Sequence, residues 1–350
     1  MSGRTSPIMG RRIWLRAVLF ALVPALHAQA EVVLPPAGVL ISAIPEGLSG
    51  MSFPLVPEEL VTGTLVSASG AQAVFPAALG AMGPRLQSEG AYYLEILGGA
   101  AAGERYDLDT AATMAAGNTT VVVAFGAATH STGDSLDPAV AGTLAAVRRH
   151  MTLAQLSSLF SPALTGSDDP AQADGLYLYE SGSFVRYSLR ADGATWVRGS
   201  DPTDERHVVI PPDESVMLDL KSGPRQLVCL GQVRTTVFRK NLRPGDQSWA
   251  SGFPVDLTPA QAGGFADLAT PVERRWVGSG VAAQADAFTW FAPESYSFVM
   301  CFLRGDGASW RRPGRPEDQS GARLLRSDTA VLLRRAQADP AYRISPPFSP

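Results

Sequence analysis

The sequence predicts an all-β, mainly antiparallel protein of sandwich-like or barrel-like modules, with one short helical insertion and an internal duplication of one module. Short runs rich in β-branched and aromatic residues alternate with Gly, Pro and Asp turns along most of the chain. The segment Ala-Gln-Ala-Asp at residues 171–174 returns 112 residues later, at 283–286, and the residues that follow each copy also return. A repeat of this length indicates duplicated domains rather than a short-period solenoid.

The first 30 residues have the features of a secretory signal peptide. Four arginines precede an apolar run at residues 17–25 that is too short to span a bilayer, and Ala28-Gln29-Ala30 is a small-x-small cleavage site. The pair Arg11-Arg12 resembles a twin-arginine signal, and an ordinary basic region is the alternative. We predict a signal peptide over residues 1–30 and a mature chain that begins at Glu31.

The predicted mature chain is mildly acidic. Removing residues 1–30 leaves 25 basic and 33 acidic residues, a net charge of −8. Nucleic acids and anionic membranes select basic surfaces, so neither is predicted as a partner. No later segment has the length and apolar character of a membrane span, and the hydrophobic fraction of 45% is typical of a globular protein.

An N-terminal β domain is predicted over residues 31–136. Runs of β-forming residues between turn signals predict its strands, at residues 38–44, 60–67, 73–75, 91–97, 105–109 and 119–125. The glycine-rich segment between the fourth and fifth of these strands predicts a hairpin.

Helical spacing of apolar residues follows, and we predict a helical connector over residues 137–165. Asp137 is a suitable N-cap, Pro138 suits the first turn, and apolar residues recur at helical intervals as far as Val147. Thr152 is the predicted cap of a second short helix with an apolar stripe. We interpret this stripe as core packing against a sheet, and the alternative is a partner helix.

Two copies of the repeated module are predicted at residues 166–232 and 278–350. Each copy contains a hairpin, an Asp-Gly turn and then a tryptophan, Trp196 or Trp310. Because the two tryptophans occupy the same place in both copies, we predict that they are core residues, packed against Phe184 or Phe298, rather than sugar-stacking residues.

A connecting segment is predicted between the copies, at residues 233–277. It echoes the N-terminal strand region, because residues 38–44 resemble residues 231–237 and Phe53-Pro54 recurs as Phe253-Pro254. The echo predicts that the N-terminal half is a diverged relative of the same building unit, and a chance match is the alternative.

Three blocks of sequence carry a resemblance to a known family. They are AYYLEILGGAAAGERYDLD at residues 91–109, MTLAQLSSLF at residues 151–160, and the Ala-Gln-Ala-Asp segment followed by Trp196 and by HVVIPPDESVML at residues 207–218. The chain resembles a family of exported, β-rich proteins of unknown function found mostly in verrucomicrobia. The resemblance covers most of the mature chain, and it implies an exported β-rich fold but no activity, cofactor or site residue.

Cys229 and Cys301 are the two cysteines of the chain. A disulfide is one interpretation in an exported protein, and two buried thiols that behave as small apolar side chains are the other. We favour thiols because Tyr187 takes the place of Cys301 in the first copy of the module.

A serine-hydrolase site is the main catalytic candidate. Residues 133–136 spell the opening motif of the GDSL esterases, with Ser135 as the nucleophile, and Asp204 with His207 spells their second motif. In that family the serine directly follows the first strand of an α/β fold, whereas ten residues separate Phe125 from Ser135 here. A solvated loop is therefore the favoured interpretation.

No metal or cofactor site is predicted, because neither the spacing of zinc ligands nor that of a calcium loop is present. Trp249 and Trp290 are the candidate surface aromatics for ligand binding. Arg304-Gly305-Asp306 resembles an adhesion motif, but its sister copy reads Arg190-Ala191-Asp192, so the chemistry of a turn explains it.

The leading functional hypothesis is a non-catalytic binding or structural protein, exported to the periplasm, the outer surface or the exterior. The partner considered is a glycan or an envelope component. The alternatives are a serine hydrolase that uses Ser135 and His207, and a carbohydrate-binding module with surface tryptophans. This hypothesis rests on the predicted signal peptide and on the absence of a familiar active-site motif, because a fold does not specify a function.

Replacing Trp196 or Trp310 with alanine is expected to lower the free energy of unfolding by about 3–5 kcal/mol, the usual cost of truncating a core tryptophan. Thermal unfolding measures the loss of stability in both variants, and a glycan-binding assay is run on the same proteins. Unchanged stability with lost glycan binding would instead make the two tryptophans a ligand site.

Overall fold

The computed structural model describes residues 36–117, 119–126, 129–265, 270–327 and 329–348. The predicted signal peptide lies outside the described residues. The described chain is mostly antiparallel β-sheet with a few short helices, which confirms the predicted fold class. Within this part of the chain no sheet closes into a barrel, so its modules are sandwich-like.

The strands are numbered in chain order. Those of the first half are β1 (Ala37–Ile44), β2 (Gly47–Ser52), β3 (Leu55–Val56), β4 (Glu59–Thr64), β5 (Ser67–Ser69), β6 (Gln72–Val74), β7 (Tyr92–Ile96), β8 (Arg105–Asp107), β9 (Thr120–Val122), β10 (Leu144–Arg149), β11 (Met151–Thr152) and β12 (Phe160–Ser161). Those of the second half are β13 (Gly175–Glu180), β14 (Ser183–Leu189), β15 (Trp196–Arg198), β16 (Val209–Ile210), β17 (Ser215–Leu220), β18 (Arg225–Val233), β19 (Phe238–Leu242), β20 (Gly245–Trp249), β21 (Ala287–Ala292), β22 (Ser297–Leu303), β23 (Trp310–Arg311), β24 (Val331–Arg335) and β25 (Asp339–Ile344).

Two short α-helices lie between these strands in the described ranges. Helix α1 (Thr110–Ala116), which the sequence analysis missed, begins where the Asp109 side chain accepts a hydrogen bond from the Ala112 amide at 2.9 Å. Helix α2 (Leu153–Ser157) begins at the predicted cap, Thr152. Single 3₁₀ turns lie at Ala77–Leu79, Gly83–Arg85, Pro138–Val140, Val272–Arg274 and Ala282–Gln284.

The first half of the predicted connector is strand, not helix. Asp137 caps only the 3₁₀ turn Pro138–Val140, and Gly142, at a φ of +80°, precedes strand β10. Ala145 and Ala146 favour helices intrinsically, but both are fully buried in a strand that pairs with β4 on one side and β7 on the other. Tertiary packing overrides propensity here, so the helix predicted after Asp137 is wrong, whereas the one after Thr152 is confirmed.

The two copies of the module share one sheet topology, which confirms the duplication. The larger sheet has the strand order β15-β14-β13-β17-β2 in the first copy and β23-β22-β21-β24-β20 in the second. A smaller sheet, β1-β18-β12 with β3 in the first copy and β19-β25 in the second, covers each of them. Apolar side chains between the layers form two separate cores.

Strands β1 and β2 therefore belong to the sheets of the first copy, although they lie far from it in sequence. Strand β2 matches β20 at an offset of 198 residues, since Met51 pairs with Val216 as Trp249 pairs with Val331. The sequence echo between residues 38–44 and the region around Gly231 has another origin. Strand β1 is the direct partner of β18, with Gly38 opposite Gly231, so the two segments are neighbours rather than equivalents.

A separate domain interrupts the first copy between β2 and α2. In the first copy Thr152 and Gln155 cap each other, and in the second copy Thr258 and Gln261 do the same at an offset of 106 residues. The offset falls from 198 to 106, so the first copy contains 92 additional residues. These residues form most of the inserted domain (residues 57–150), whose sheets β4-β10-β7-β8 and β5-β6-β9 enclose their own apolar core.

Trp196 and Trp310 are fully buried, as predicted. Each indole N–H donates a hydrogen bond, Trp196 to Ser157 Oγ at 3.0 Å and Trp310 to a backbone carbonyl at 2.6 Å. The predicted packing partners are wrong. Phe184 packs in a different apolar cluster, and Phe298 is 47% exposed.

The Asp of each Ala-Gln-Ala-Asp segment is buried and joins two separate stretches of its own copy. Asp174 accepts hydrogen bonds from the amides of Thr165 and Lys221, each at 2.7 Å, and lies 3.5 Å from the guanidinium of Arg225. Asp286 accepts hydrogen bonds from the two equivalent backbone amides in the second copy, and its charge partner is Arg335 of β24, at 3.2 Å, which is not the equivalent of Arg225. The repeated motif is therefore a structural device that fixes the loop before the hairpin to the end of the closing strand.

The two copies contact each other through equivalent positions. The Ser215 amide donates to Ser248 Oγ at 2.8 Å, while Ala330, the equivalent of Ser215, lies against Gly50, the equivalent of Ser248. A Cβ added to Gly50 would lie 2.6 Å from the Ala330 Cβ, so only glycine fits there. Such reciprocal contacts indicate an approximate two-fold relation between the copies.

Both cysteines are buried free thiols in different sheets, Cys229 on β18 and Cys301 on β22. Burial raises the pKa of each thiol, that of Cys301 to about 12. The structure therefore agrees with the interpretation that both act as small apolar side chains.

Asp174→Ala is expected to lower the free energy of unfolding by about 3–5 kcal/mol, because it leaves Arg225 buried without its counter-charge. The control is Asp192→Ala, which removes a carboxylate that caps an exposed turn and should cost much less. Denaturant unfolding measures both, and equal losses would show that the repeated Asp has no special structural role.

Candidate functional site

The four-stranded sheet of the inserted domain has two faces of opposite character. Side chains that alternate along β7, β8 and β10 point either into the apolar core of the domain or toward the two module copies. The second face is buried and polar, and it carries Tyr93, Glu95, Arg105, Asp107 and Arg148. Buried charges need partners, and the two copies of the module supply several of them.

Glu95 is the centre of one buried ionic cluster. Its carboxylate accepts from Arg148 at 2.8 Å and from Arg234, which lies just beyond β18 of the first copy. Arg148 also binds the carboxylate of Glu59 at 2.8 Å. Burial alone would raise the pKa of Glu95, but the charges of Arg234 and Arg148 hold it below its usual value. Glu95 is therefore ionised and fixes the inserted domain against the first copy.

Asp213 is the centre of a second cluster, in which all three parts of the chain meet. The carboxylate of Asp213, in the first copy, lies 3.1 Å from Arg105 of the inserted domain and 2.7 Å from Lys240 of the second copy. Arg105 also donates to the carbonyl of Arg239 at 2.8 Å. Burial opposes ionisation, but the charges of Arg105 and Lys240 hold the pKa of Asp213 well below its usual range.

A carboxylate with two histidines lies beside these clusters. Asp107 accepts from His130 Nδ1 at 3.1 Å and from His150 Nε2 at 2.9 Å, and the His130 backbone amide also donates to it at 2.9 Å. The histidine loop is fixed further because the Asp107 amide donates to Ser131 Oγ. Since Nδ1 of His130 binds Asp107, Nε2 is the ring nitrogen left for a ligand.

The two histidines differ in electrostatics. Burial would lower the pKa of His130, but its hydrogen bond to Asp107 and the charges of Asp107, Glu214 and Asp213 raise it above the usual value. His150 is more deeply buried, and desolvation lowers its pKa despite the contact with Asp107. His130, whose side chain is 35% exposed, is therefore the one that gains a proton first.

A cleft of about 590 Å³ opens where the inserted domain and the two copies meet. The inserted domain contributes residues 129–132, and the first copy contributes Tyr179, the hairpin turn at Ser181 and the segment around Glu214. Residues between Lys240 and Ser248 form the wall from the second copy. Clefts at domain junctions with convergent polar groups are preferred ligand sites.

Glu214 follows Asp213 in the wall of this cleft. It is partly buried, and no hydrogen bond or ion pair joins its carboxyl group to another residue in the described ranges. Burial raises its pKa, the Asp213 carboxylate adds to the rise, and Lys240 only partly offsets it. Glu214 is thus available as a donor or an acceptor for a ligand.

The predicted hydrolase residues do not form a hydrogen-bonded triad in the part of the chain that the structure describes. Ser135 is exposed in a loop of the inserted domain, and His207 is exposed in the first copy. Asp204 binds the side chain of Arg206 and the amide of Trp196 instead of His207. The serine-hydrolase hypothesis remains a prediction without geometric support.

The predicted surface tryptophans are buried. Trp249 is 1% exposed and Trp290 is 9% exposed in the core of the second copy, so the prediction that they lie on the surface is wrong. The Asp of Arg304-Gly305-Asp306 caps its own turn by accepting from the amides of Ala308 and Ser309, each at 2.9 Å. Asp192 makes the equivalent bonds in the first copy, so turn chemistry accounts for the tripeptide.

No sequence motif marks the residues that line the cleft or the Asp107–histidine cluster beside it. Asp107, His130 and His150 come together only through the pairing of β7, β8 and β10, and their spacing has no motif. Lys240 carried a weak signal, as one of only two lysines in the chain. Among the described residues, no group of three or more His, Cys, Asp or Glu is placed to hold a metal ion.

No protein-family model matches the sequence, and no curated protein or solved structure shows significant similarity to the chain. The resemblance to exported verrucomicrobial proteins therefore remains a prediction. None of the helices in the described ranges is both long and apolar enough to cross a membrane.

Asp107→Asn is expected to lower the pKa of His130, because the variant loses the carboxylate charge that stabilises the imidazolium. In the unchanged protein, His130 should titrate above the reference value of about 6.5 and His150 below it. NMR titration of the imidazole resonances, assigned with His130→Gln and His150→Gln, measures both values.

The same contact has a consequence for stability. Because the pKa of His130 is raised in the folded state, its contribution is complete below about pH 6.5 and is lost as the pH rises through the folded value. Asp107→Asn should remove this pH dependence of unfolding. If His130 titrates at the same pH in both proteins, the Asp107–His130 pair has no electrostatic role.

Proposed function

We propose that the protein is a non-catalytic, exported binding protein that holds a small polar ligand in the cleft between the inserted domain and the two copies. Export rests on the sequence features of residues 1–30. Binding rests on the cleft, which is large enough for a ligand and is bounded by three structurally independent parts of the chain.

The observation that carries the proposal is the state of Glu214. The buried charges around it are paired, Asp213 with Arg105 and Lys240, and Asp107 with two histidines. Glu214 alone faces the cleft with a raised pKa and no hydrogen bond or ion pair among the described residues. A ligand that hydrogen-bonds to Glu214 would therefore not compete with another side chain of the described residues for this carboxyl group.

Binding is favoured over hydrolysis because His130 hydrogen-bonds to no hydroxyl group among the described residues. Ser131 and Thr132 line it, but Ser131 Oγ donates to the Ala124 carbonyl and Thr132 Oγ1 donates to the Arg105 carbonyl. Since its hydrogen-bonded partner is the Asp107 carboxylate, we assign His130 to ligand recognition.

Asn241→Trp is expected to abolish ligand binding without unfolding the protein, because Asn241 is exposed on the cleft wall and an indole there would fill the cleft. A thermal-shift screen of sugars, amino acids and other small polar compounds should give ligands that stabilise the unchanged protein but not this variant. The matched control is Glu89→Trp, at an exposed site outside the cleft. Ligands that stabilise all three proteins equally, or no ligand at all, would contradict the proposal.

A further inference from the structure

From one wall of the cleft, a series of contacting aromatic rings leads to two exposed rings. Tyr179 lines the cleft, and its ring centroid lies 5.1 Å from that of Phe184 in an edge-to-face contact. Phe184 stacks on Phe298 at 6.3 Å. The ring centroid of Phe291 lies 5.4 Å from that of Phe298 and 5.8 Å from that of Tyr296. These contacts link the cleft wall to two exposed rings, Phe298 and Tyr296.

The approximate two-fold relation accounts for only part of this row. Tyr179 and Phe184 in the first copy correspond to Phe291 and Phe298 in the second, and the two phenylalanines that stack on each other are equivalent residues. Phe291 is buried, so it serves the packing of the copies. Phe298 is 47% exposed and Tyr296 is 63% exposed, so both side chains are accessible to a ligand.

Tyr296 is held in place although it is exposed. The first-copy hairpin turns through Ser181 and Gly182, whereas the second-copy hairpin has two more residues and places Tyr296 at a φ of +48°. That backbone conformation is unfavourable for an aromatic residue. The Tyr296 hydroxyl accepts a hydrogen bond from the Leu48 amide at 3.3 Å, and a Cβ at Gly47 would clash with it. The ring is therefore fixed at the end of the row.

The polar part of the cleft suits a ligand rich in hydroxyl groups. Its charged lining consists of three carboxylates, two cations and one histidine, so it selects neither a strong anion nor a strong cation. Once Asp213 and Lys240 have paired, the groups left for a ligand include the planar side chains of His130, Glu214 and Asn241. Together these offer both donors and acceptors.

We infer that the ligand is a neutral glycan chain, with one end hydrogen-bonded in the cleft and its following sugar rings stacked along Phe298 and Tyr296. This inference rests on the proposed binding function and adds the ligand class. Sugars present hydroxyl groups at their edges and apolar C–H faces, which matches a polar cleft that continues into aromatic rings. The surface tryptophans expected from the sequence are thus replaced by rings that the hairpins supply.

Titration calorimetry against a panel of neutral oligosaccharides of glucose, mannose, galactose, xylose and N-acetylglucosamine tests the inference. At least one oligosaccharide should bind, and more tightly than its monosaccharide. Phe298→Ala and Tyr296→Ala should each weaken binding about tenfold, the effect of losing a central aromatic contact. Glu214→Gln should weaken both the oligosaccharide and the monosaccharide. The control is Leu230→Ala, a 69% exposed apolar residue on β18 that should leave binding unchanged.

The outcomes separate the two proposals. If no oligosaccharide binds but another polar compound stabilises the unchanged protein and not Asn241→Trp, the glycan is wrong and the binding function stands. If oligosaccharides bind and neither aromatic substitution weakens them, the aromatic row is not part of the site. If no compound of either kind binds, both proposals fail.

Discussion

The carboxylate of Asp213 is the point at which all three parts of the chain meet in one ionic contact. It is shared between Arg105 of the inserted domain and Lys240 of the second copy, and the Asp213 carbonyl also accepts from the Ala250 amide at 2.9 Å. Taking these charges out of water is costly, and the cost is offset only while all the partners are present. The same three segments line the cleft. Asp213 lines the cleft and also pairs with Arg105 and Lys240. The geometry of the candidate site therefore depends on these ion pairs.

The inserted domain packs against the two copies through charged and polar side chains, because the apolar face of its sheet is buried in its own core. Its apolar side chains fill its own core, so the remaining face of the sheet meets the copies with Tyr93, Glu95, Arg105 and Asp107. Ionic contacts of this kind contribute less to stability than apolar packing of the same area, but they tolerate only one arrangement of partners. A fixed arrangement is what a binding cleft between separately folded parts requires.

Local chemistry made much of the fold predictable. Repeated turns, alternating strands and the positions of Trp196 and Trp310 followed from residue type and spacing, and the Thr152 cap did as well. The wrong predictions concern features that depend on strand pairing and on contacts between residues distant in sequence. Strand β10 is rich in alanine and its apolar residues recur at helical spacing. It is nevertheless a strand, because it pairs with β4 on one edge and β7 on the other. The candidate site lay beyond reach for the same reason, since Asp107 meets His150 across 43 residues and Asp213 meets Arg105 across a domain boundary.

The duplication explains why the repeated residues are poor guides to function. Whatever both copies share, such as the buried Asp of each Ala-Gln-Ala-Asp segment, serves the module itself and would give two equivalent sites if it bound a ligand. The cleft instead needs the loop with His130, which belongs to the insertion that the second copy lacks. The aromatic row ends at Tyr296, which belongs to a turn that is longer in the second copy. The candidate site thus includes two features in which the copies differ, the inserted loop with His130 and the longer turn with Tyr296, and these features make it asymmetric.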